Sequence, residues 1–586
     1  MRIEELRSII RCSLGIIPAD LVIKNVTIVN VFTEEFIEGS IALKNGYIAR
    51  VGDVNDVIRD STTIINGNGL YAAPAFIDAH IHIESSMLTL TEFAKATIPH
   101  GTGTIITDIH ELTNVIGEKA LKLILNEAKN LPLNVFIMVP SCVPAAPGID
   151  TSGARIDSNK VKELINLPNV LGLGEMMNYP GVLNTDTEVL EKIITTHRQR
   201  KIVDGHAPLL FGKELQAYIA AGILTDHEST TGEEAISKLR NGMYLMAREG
   251  SLSKNLNILA SVMEKNLSLE RCIIVSDDKH PNDLLINGHL EPALRKAINM
   301  GIDPIKAIKM VTINPARAYR LDRIGAIGPG YYADIALIRD LEEFKIEKVF
   351  LKGQLVAENG KLLVDLPRYD YPEEVLQTIH VKKIPNEKDL TIEYHGEDEI
   401  VSVNVIGVRE ESLITDHIRE KMKVRNNMLL PDPAQDILEI VVVERHKNTG
   451  NIGKGFVKGF GLERGALASS VAHDSHNIIC VGASLKDMCI AIGRLIEIRG
   501  GLVVVESGKI LAELSLPLGG LISLESVESV ATKLSEINSK TQKLGCKLKH
   551  PFLTLSFLAL PVIPKLKMTD KGLFDVEEFK HIDVIS

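Results

Sequence analysis

From Ala75 to Asp278 the chain alternates short apolar runs with segments whose apolar residues recur three and four apart. The runs AFIDAHIH, GTIITDIH, NVFIMVP, VLGLGEM, KIVDGHAP, GILTDHES, YLMARE and CIIVSDD read as eight strands. Between them, LTEFAKATIPHG, GEKALKLILNEAKN, TEVLEKIITTHRQR, GKELQAYIAAG and EEAISKLRNG read as helices. Strand and helix in strict alternation predict an α/β fold with a (β/α)8 barrel over residues 71–320.

The flanks follow a different pattern. Residues 1–18 read as a helix stopped by Pro18, and β-branched runs from Asp20 to Ile65 read as a small antiparallel β unit. Asn45-Gly46 between two alternating runs is a hairpin signal. Short strands return in IGAIGPGYYADIALIRD and KVFLKGQLVAENGK. Few short strands are stable alone, so residues 321–370 are expected to complete the β unit of residues 1–70 as a split β-sandwich domain. Residues 371–400, with Pro372, Pro385 and many charges, are expected to be a linker. Residues 401–586 mix strand and helix patterns and predict an additional C-terminal α/β domain.

Composition narrows the class. Hydrophobic residues make up 45% of the 586 and charged residues 24%, as in a soluble globular protein with a large core. A formal net charge of -11 argues against nucleic acid as a partner. No run of about 18 apolar residues is present, which argues against a membrane span. The start, MRIEELRSIIRCSLG, with early acidic residues and no long apolar core, is not expected to be a signal peptide, and six cysteines without CxxC spacing suit reduced thiols in the cytoplasm.

The chemistry collects where barrel strands end, the face on which such barrels build active sites. His80 and His82 are two apart, so on a strand both imidazoles share one face. Glu175, His206, His227 and the pair Asp277-Asp278 close later strands. Imidazoles and carboxylates together suit one or two divalent metals, with a carboxylate able to bridge two. Water held there is deprotonated near neutral pH, and Asp277 is the candidate to carry its proton to a leaving group. His280 is a further candidate relay. Glu84 and Ser85 either contact substrate or cap the next helix, and Asp108 and His110 either contact substrate or support the ligands. Arg248 either positions substrate or forms a surface ion pair, and AHDSHN (472–477) either is a polar turn or closes the barrel mouth. The H-x-E with P-C-x-x-C pattern of cytidine-deaminase zinc sites is absent.

The strings PAFIDAHIHIESS, GLGEMMN, DGHAP, TDHEST, VSDDKHP and VAHDSHN resemble the adenine deaminase family of the amidohydrolase superfamily over nearly the whole chain. Many superfamily members carry a carboxylated Lys on strand 4, where this chain has Glu175. The resemblance implies hydrolysis of adenine to hypoxanthine and ammonia at a manganese (Mn2+) or iron (Fe2+) site, binuclear, with attack at C6. It implies His80, His82, His206, His227 and Asp277 as metal ligands, with Glu175 bridging. Asp278 would accept a hydrogen bond from a ring N–H. A homo-oligomer, dimer or larger, is also implied. The rival readings are a cyclic amidase or deacetylase on the same scaffold, and a non-catalytic protein that kept the fold.

Overall fold

The computed structural model describes residues 2–251, 253–409 and 412–586. The eight expected barrel strands are present: β1 (Phe76–His82), β2 (Thr102–Asp108), β3 (Asn134–Val139), β4 (Val170–Met176), β5 (Ile202–Gly205), β6 (Thr225–Asp226), β7 (Tyr244–Arg248) and β8 (Cys272–Val275, continued by Asp277–Asp278). Strands β1 to β5 pair in parallel, as do β6 to β8. Two junctions close the ring. Asp277 and Asp278 pair with Ile81 and His82, and the Leu224 N–H donates to the Val203 carbonyl at 3.0 Å.

Alternation along the strands explains the core. Ala79, Ile106, Met138, Ile202, Met246 and Ile273 point inward and fill the barrel. Their strand neighbours Ile105, Ile137 and Val203 point outward, beneath the helices. Buried Asp78 fastens β1 to β8 by accepting the Ser276 N–H at 3.2 Å, and its other oxygen lies 2.9 Å from His289 Nε2.

The flanking segments Leu21–Pro74 and Ile335–Leu362 contribute to one nine-stranded sheet, joined where Tyr71–Pro74 pairs with Ile335–Ile338. Asn45 (φ 52°) and Gly46 (φ 78°) make the expected hairpin turn in the left-handed region. The sheet is mixed rather than antiparallel, because Leu21–Asn30 pairs in parallel with both Thr63–Asn66 and Tyr71–Pro74. The first helix covers only Ile3–Ser13, since Gly15 at φ 78° ends it ahead of Pro18.

In the C-terminal domain an eight-stranded, largely antiparallel sheet packs against the helix Leu485–Glu497. Residues 371–400 differ from a free linker. Val375 and Leu390 are buried, the His380 N–H donates to the Arg445 carbonyl (2.8 Å), and the Gly519 N–H donates to the Val375 carbonyl (2.9 Å). Isolated apolar residues in a polar stretch anchor it to the sheet. The C-terminal domain in turn sits over the barrel mouth. The Ser523 N–H donates to the Met87 carbonyl (2.9 Å), and Asn477 Nδ2 donates to the Thr151 carbonyl (2.8 Å). Among the described residues, no helix is long and apolar enough to cross a membrane.

Candidate active site

The ends of β1, β4, β5, β6 and β8 bring six expected side chains to one place. His82 turns Nδ1 to the Asp108 carbonyl at 2.7 Å, which leaves Nε2 to face the site. That Nε2 is 3.4 Å from Glu175 Oε1 and 3.3 Å from Asp277 Oδ1. His80 Nε2 is 3.4 Å from the same Asp277 oxygen, and its ring stacks on His227 with centroids 4.1 Å apart. On the other side, Glu175 Oε2 lies 2.6 Å from His206 Nδ1 and 3.1 Å from His227 Nε2. One carboxylate therefore stands between two groups of imidazoles.

Buried polar residues hold these groups in register. The Tyr218 hydroxyl donates to the Met176 carbonyl (2.9 Å) and accepts the His206 N–H (3.0 Å), fixing the ends of β4 and β5. Asp226 accepts the Ala207 N–H at 2.8 Å, and Lys238 binds Asp226, Glu234 and the Ala207 carbonyl, tying the loop after β5 to the end of β6. Asp108 Oδ2 accepts the Glu175 N–H at 3.1 Å, so Asp108 supports β4 from β2. Asp277 sits at φ 59°, a left-handed backbone that costs about 1 kcal/mol and turns its carboxylate into the mouth.

The electrostatics suit a cation. Burial alone would raise the Asp277 pKa, but Arg248, at 2.8 Å, with His80 and His82, holds it well below the usual carboxylate range. Burial would likewise raise Glu175, yet His206 and His227 hold it well below. Burial disfavours charge on His82, but the facing carboxylates hold its pKa well above the ordinary histidine value. The site thus stabilises positive charge at its centre. Among the described residues His80 Nε2 is buried with no hydrogen-bond partner. Among the described residues four triplets lie here with donor atoms within 4.8 Å of one another: His80, His82 and Glu175; His80, His227 and Asp277; Glu175, His206 and His227; and Asp108, His110 and Glu175. The mixed nitrogen and oxygen donors fit a divalent transition metal.

Known proteins give the same frame. The amidohydrolase family model matches residues 71–356, and the adenine deaminase C-terminal domain model matches residues 412–580. A Dehalococcoides mccartyi adenine deaminase is 46% identical over 578 residues, covering 98% of this chain and 99% of its own length. The Moorella thermoacetica adenine deaminase is 43% identical over 587 residues, covering 100% and 98%. The chain belongs to the adenine deaminase family. It is a hydrolytic enzyme with a divalent metal centre.

In this adenine deaminase family member the remaining expected residues lie around the metal cluster or in a cavity beside it. His110 Nδ1 is 3.5 Å from Glu175 Oε1, at the cluster's edge. Glu84, Ser85, Asp278 and His280 line a pocket between barrel and C-terminal domain. Ser85 donates to Asp278, while Thr89 caps the helix Leu90–Thr97, so Ser85 is not the helix cap. Burial, reinforced by the Asp277 charge, pushes the Asp278 pKa up to about 6. Burial with the Glu111 charge pushes Glu84 up to about 7. The His280 ring lies 6.4 Å from that of His550, and burial lowers its pKa to about 4.

Sequence reasoning passed over Glu228 and Glu111. Glu228 pairs with Arg248 and lies 3.5 Å from His227 Nε2, so Arg248 is a buried hinge between Glu228 and Asp277 rather than a surface ion-pair residue. Both acids directly follow a histidine that had drawn attention, in DHE and IHE. That adjacency was the available signal.

Proposed function

We propose that this enzyme hydrolyses adenine to hypoxanthine and ammonia. The observation that carries the reading is the convergence of His80, His82, His206, His227 and Asp277 about the single carboxylate of Glu175. His80, His82 and Asp277 would hold one ion and His206 and His227 a second, with Glu175 shared, a binuclear site for Mn2+ or Fe2+. A divalent ion there supplies acidification of water and polarisation of the bond under attack.

The protein's own groups supply the rest. Asp277, held ionised by Arg248, takes a proton from the attacking water and passes it to the exocyclic nitrogen. As oxygen bonds to C6 and the C6–N bond breaks, the nitrogen leaves as ammonia. Asp278 and Ser85, hydrogen-bonded to each other on the cavity side, contact the ring, with Asp278 accepting a ring N–H. His110 and Asp108 brace Glu175 and β4. Glu84 and His280 shape the cavity wall.

The free cysteines support a cytoplasmic location, and exposed Leu285 and Ile286 support a homo-oligomer. Metal analysis tests the shared ligand. The native protein should carry two ions per chain and E175A fewer than one. One ion in both proteins would reject the bridge.

A further inference from the structure

A second cluster of ionisable groups sits at the seam between the domains, and the chemistry above does not use it. Glu111, from the helix His110–Ile116 after β2, is buried. Its Oε1 is 3.0 Å from His473 Nδ1, and its Oε2 is 3.6 Å from His476 Nε2. Both histidines come from the AHDSHN turn of the C-terminal domain.

The spacing resembles a metal triplet, but the protons argue otherwise. His476 Nδ1 accepts the Ala472 N–H at 3.2 Å, so the neutral ring carries its proton on Nε2, facing Glu111. Burial keeps His476 neutral by holding its pKa well below the ordinary value. Its Nε2 therefore has no lone pair to offer a metal. Glu111 serves instead as an anchor for His473.

His473 is the member with a free face. Its Nδ1 is committed to Glu111, and Phe557 stacks on its ring with centroids 4.3 Å apart, which fixes the ring plane. The ring lines the same cavity as Asp278, Ser85 and Glu84, which leaves Nε2 to the cavity. The metal cluster borders this cavity through Asp278, next to Asp277.

We infer that His473 hydrogen-bonds the purine edge opposite C6 and so restricts the site to the free base. The inference rests on the adenine reading and adds the recognition element. C6 must face the metal ligands to be attacked, so a flat purine between Asp278 and the C-terminal domain turns its N3 and N9 edge toward that domain. Burial disfavours charge on His473, but the facing Glu111 carboxylate raises its pKa above the ordinary histidine value, so its Nε2–H donates to the purine N3. A substituent on N9, next to N3, needs the space filled by His473 and its stacked Phe557. His473 is the contact residue, and Glu111 is a positioning residue that holds it.

The test compares kcat/KM for adenine, 9-methyladenine and adenosine across the full-length wild type, H473A, H473Q and E111Q, with metal content and melting curves measured on each. The wild type should strongly prefer adenine. H473A should lose on the order of 100-fold on adenine, while its ratio of 9-methyladenine to adenine activity rises at least tenfold. H473Q, which keeps a polar group near the Nε2 position, should recover part of the adenine loss. E111Q should raise KM for adenine more than it lowers kcat. An unchanged substrate ratio in H473A, or in H473Q where H473A does not melt cooperatively, would overturn the inference. So would a wild type that accepts 9-methyladenine as readily as adenine. A wild type that releases no ammonia from adenine would instead overturn the proposed function.

Discussion

At the barrel mouth Arg248 faces Asp277 and Glu228, and four imidazoles surround Glu175 and Asp277. Three buried ionisable groups of the C-terminal domain, Arg445, Lys567 and Glu439, form no ion pair among the described residues. Arg445 donates to the carbonyls of His476 and Gly519 and to the Thr378 hydroxyl, and Lys567 donates to those of Leu413 and Phe557. Neither Glu439 carboxylate oxygen has a hydrogen-bond partner among the described residues. The pKa values follow. Opposed charges keep Asp277 and Glu175 ionised, whereas burial lowers Arg445 to about 9 and Lys567 to about 7 and raises Glu439 well above its usual range. Chemistry needs carboxylates held ionised out of water, and only an array of both signs does that. A single buried charge works differently, by tying distant carbonyls together. Arg445 joins the segment after 371, the AHDSHN turn and the loop near 519.

The contrast breaks first at Asp277. D277N keeps the shape but not the proton chemistry, and kcat should fall about a thousandfold. Near-normal kcat would remove Asp277 from the reaction. D278N should lower kcat/KM on the order of tenfold with metal content intact, and metal loss would make Asp278 a ligand. In the C-terminal domain, R445M leaves the carbonyls of His476 and Gly519 unpaired and should cost about 3 kcal/mol of stability, read from denaturant unfolding. An unchanged midpoint would show that Arg445 is not a brace.

Lys567 gives the smallest effect and a pH signature. Its folded pKa of about 7 lies below the value near 10.4 expected when unfolded. Between those values the unfolded chain binds the extra proton, so stability rises with pH across that window. Below pH 7 both states are protonated and the full penalty remains. K567M should therefore compare best with wild type at pH 6, and the wild type should gain on it toward pH 10. A gap independent of pH would contradict the buried charge.

The convergence of the barrel residues was legible because two local rules coincide: side chains two apart share a strand face, and parallel barrels gather strand ends. His80 with His82, and the ends of β4, β5, β6 and β8, needed nothing more. The contact of Glu111 with His473 was not legible, because no local pattern records a pairing 362 positions apart. The burial of Arg248 likewise depends on Glu228 from the neighbouring strand. The anchoring of residues 371–400 hung on Val375 and Leu390, two apolar residues in a charged stretch. The hydrophobic core also runs without a break from Leu112 in the barrel to Leu518 in the C-terminal domain. Removing residues 400–586 would expose it, which makes point variants the cleaner probe.

The most direct measurement is ammonia release from adenine, adenosine, cytosine and guanine by the Mn2+-loaded enzyme, before and after chelation and again after metal is restored. The expected result is release from adenine alone, lost with the metal and regained with it. Release that survives chelation, or silence on adenine in the metal-loaded protein, would contradict the account.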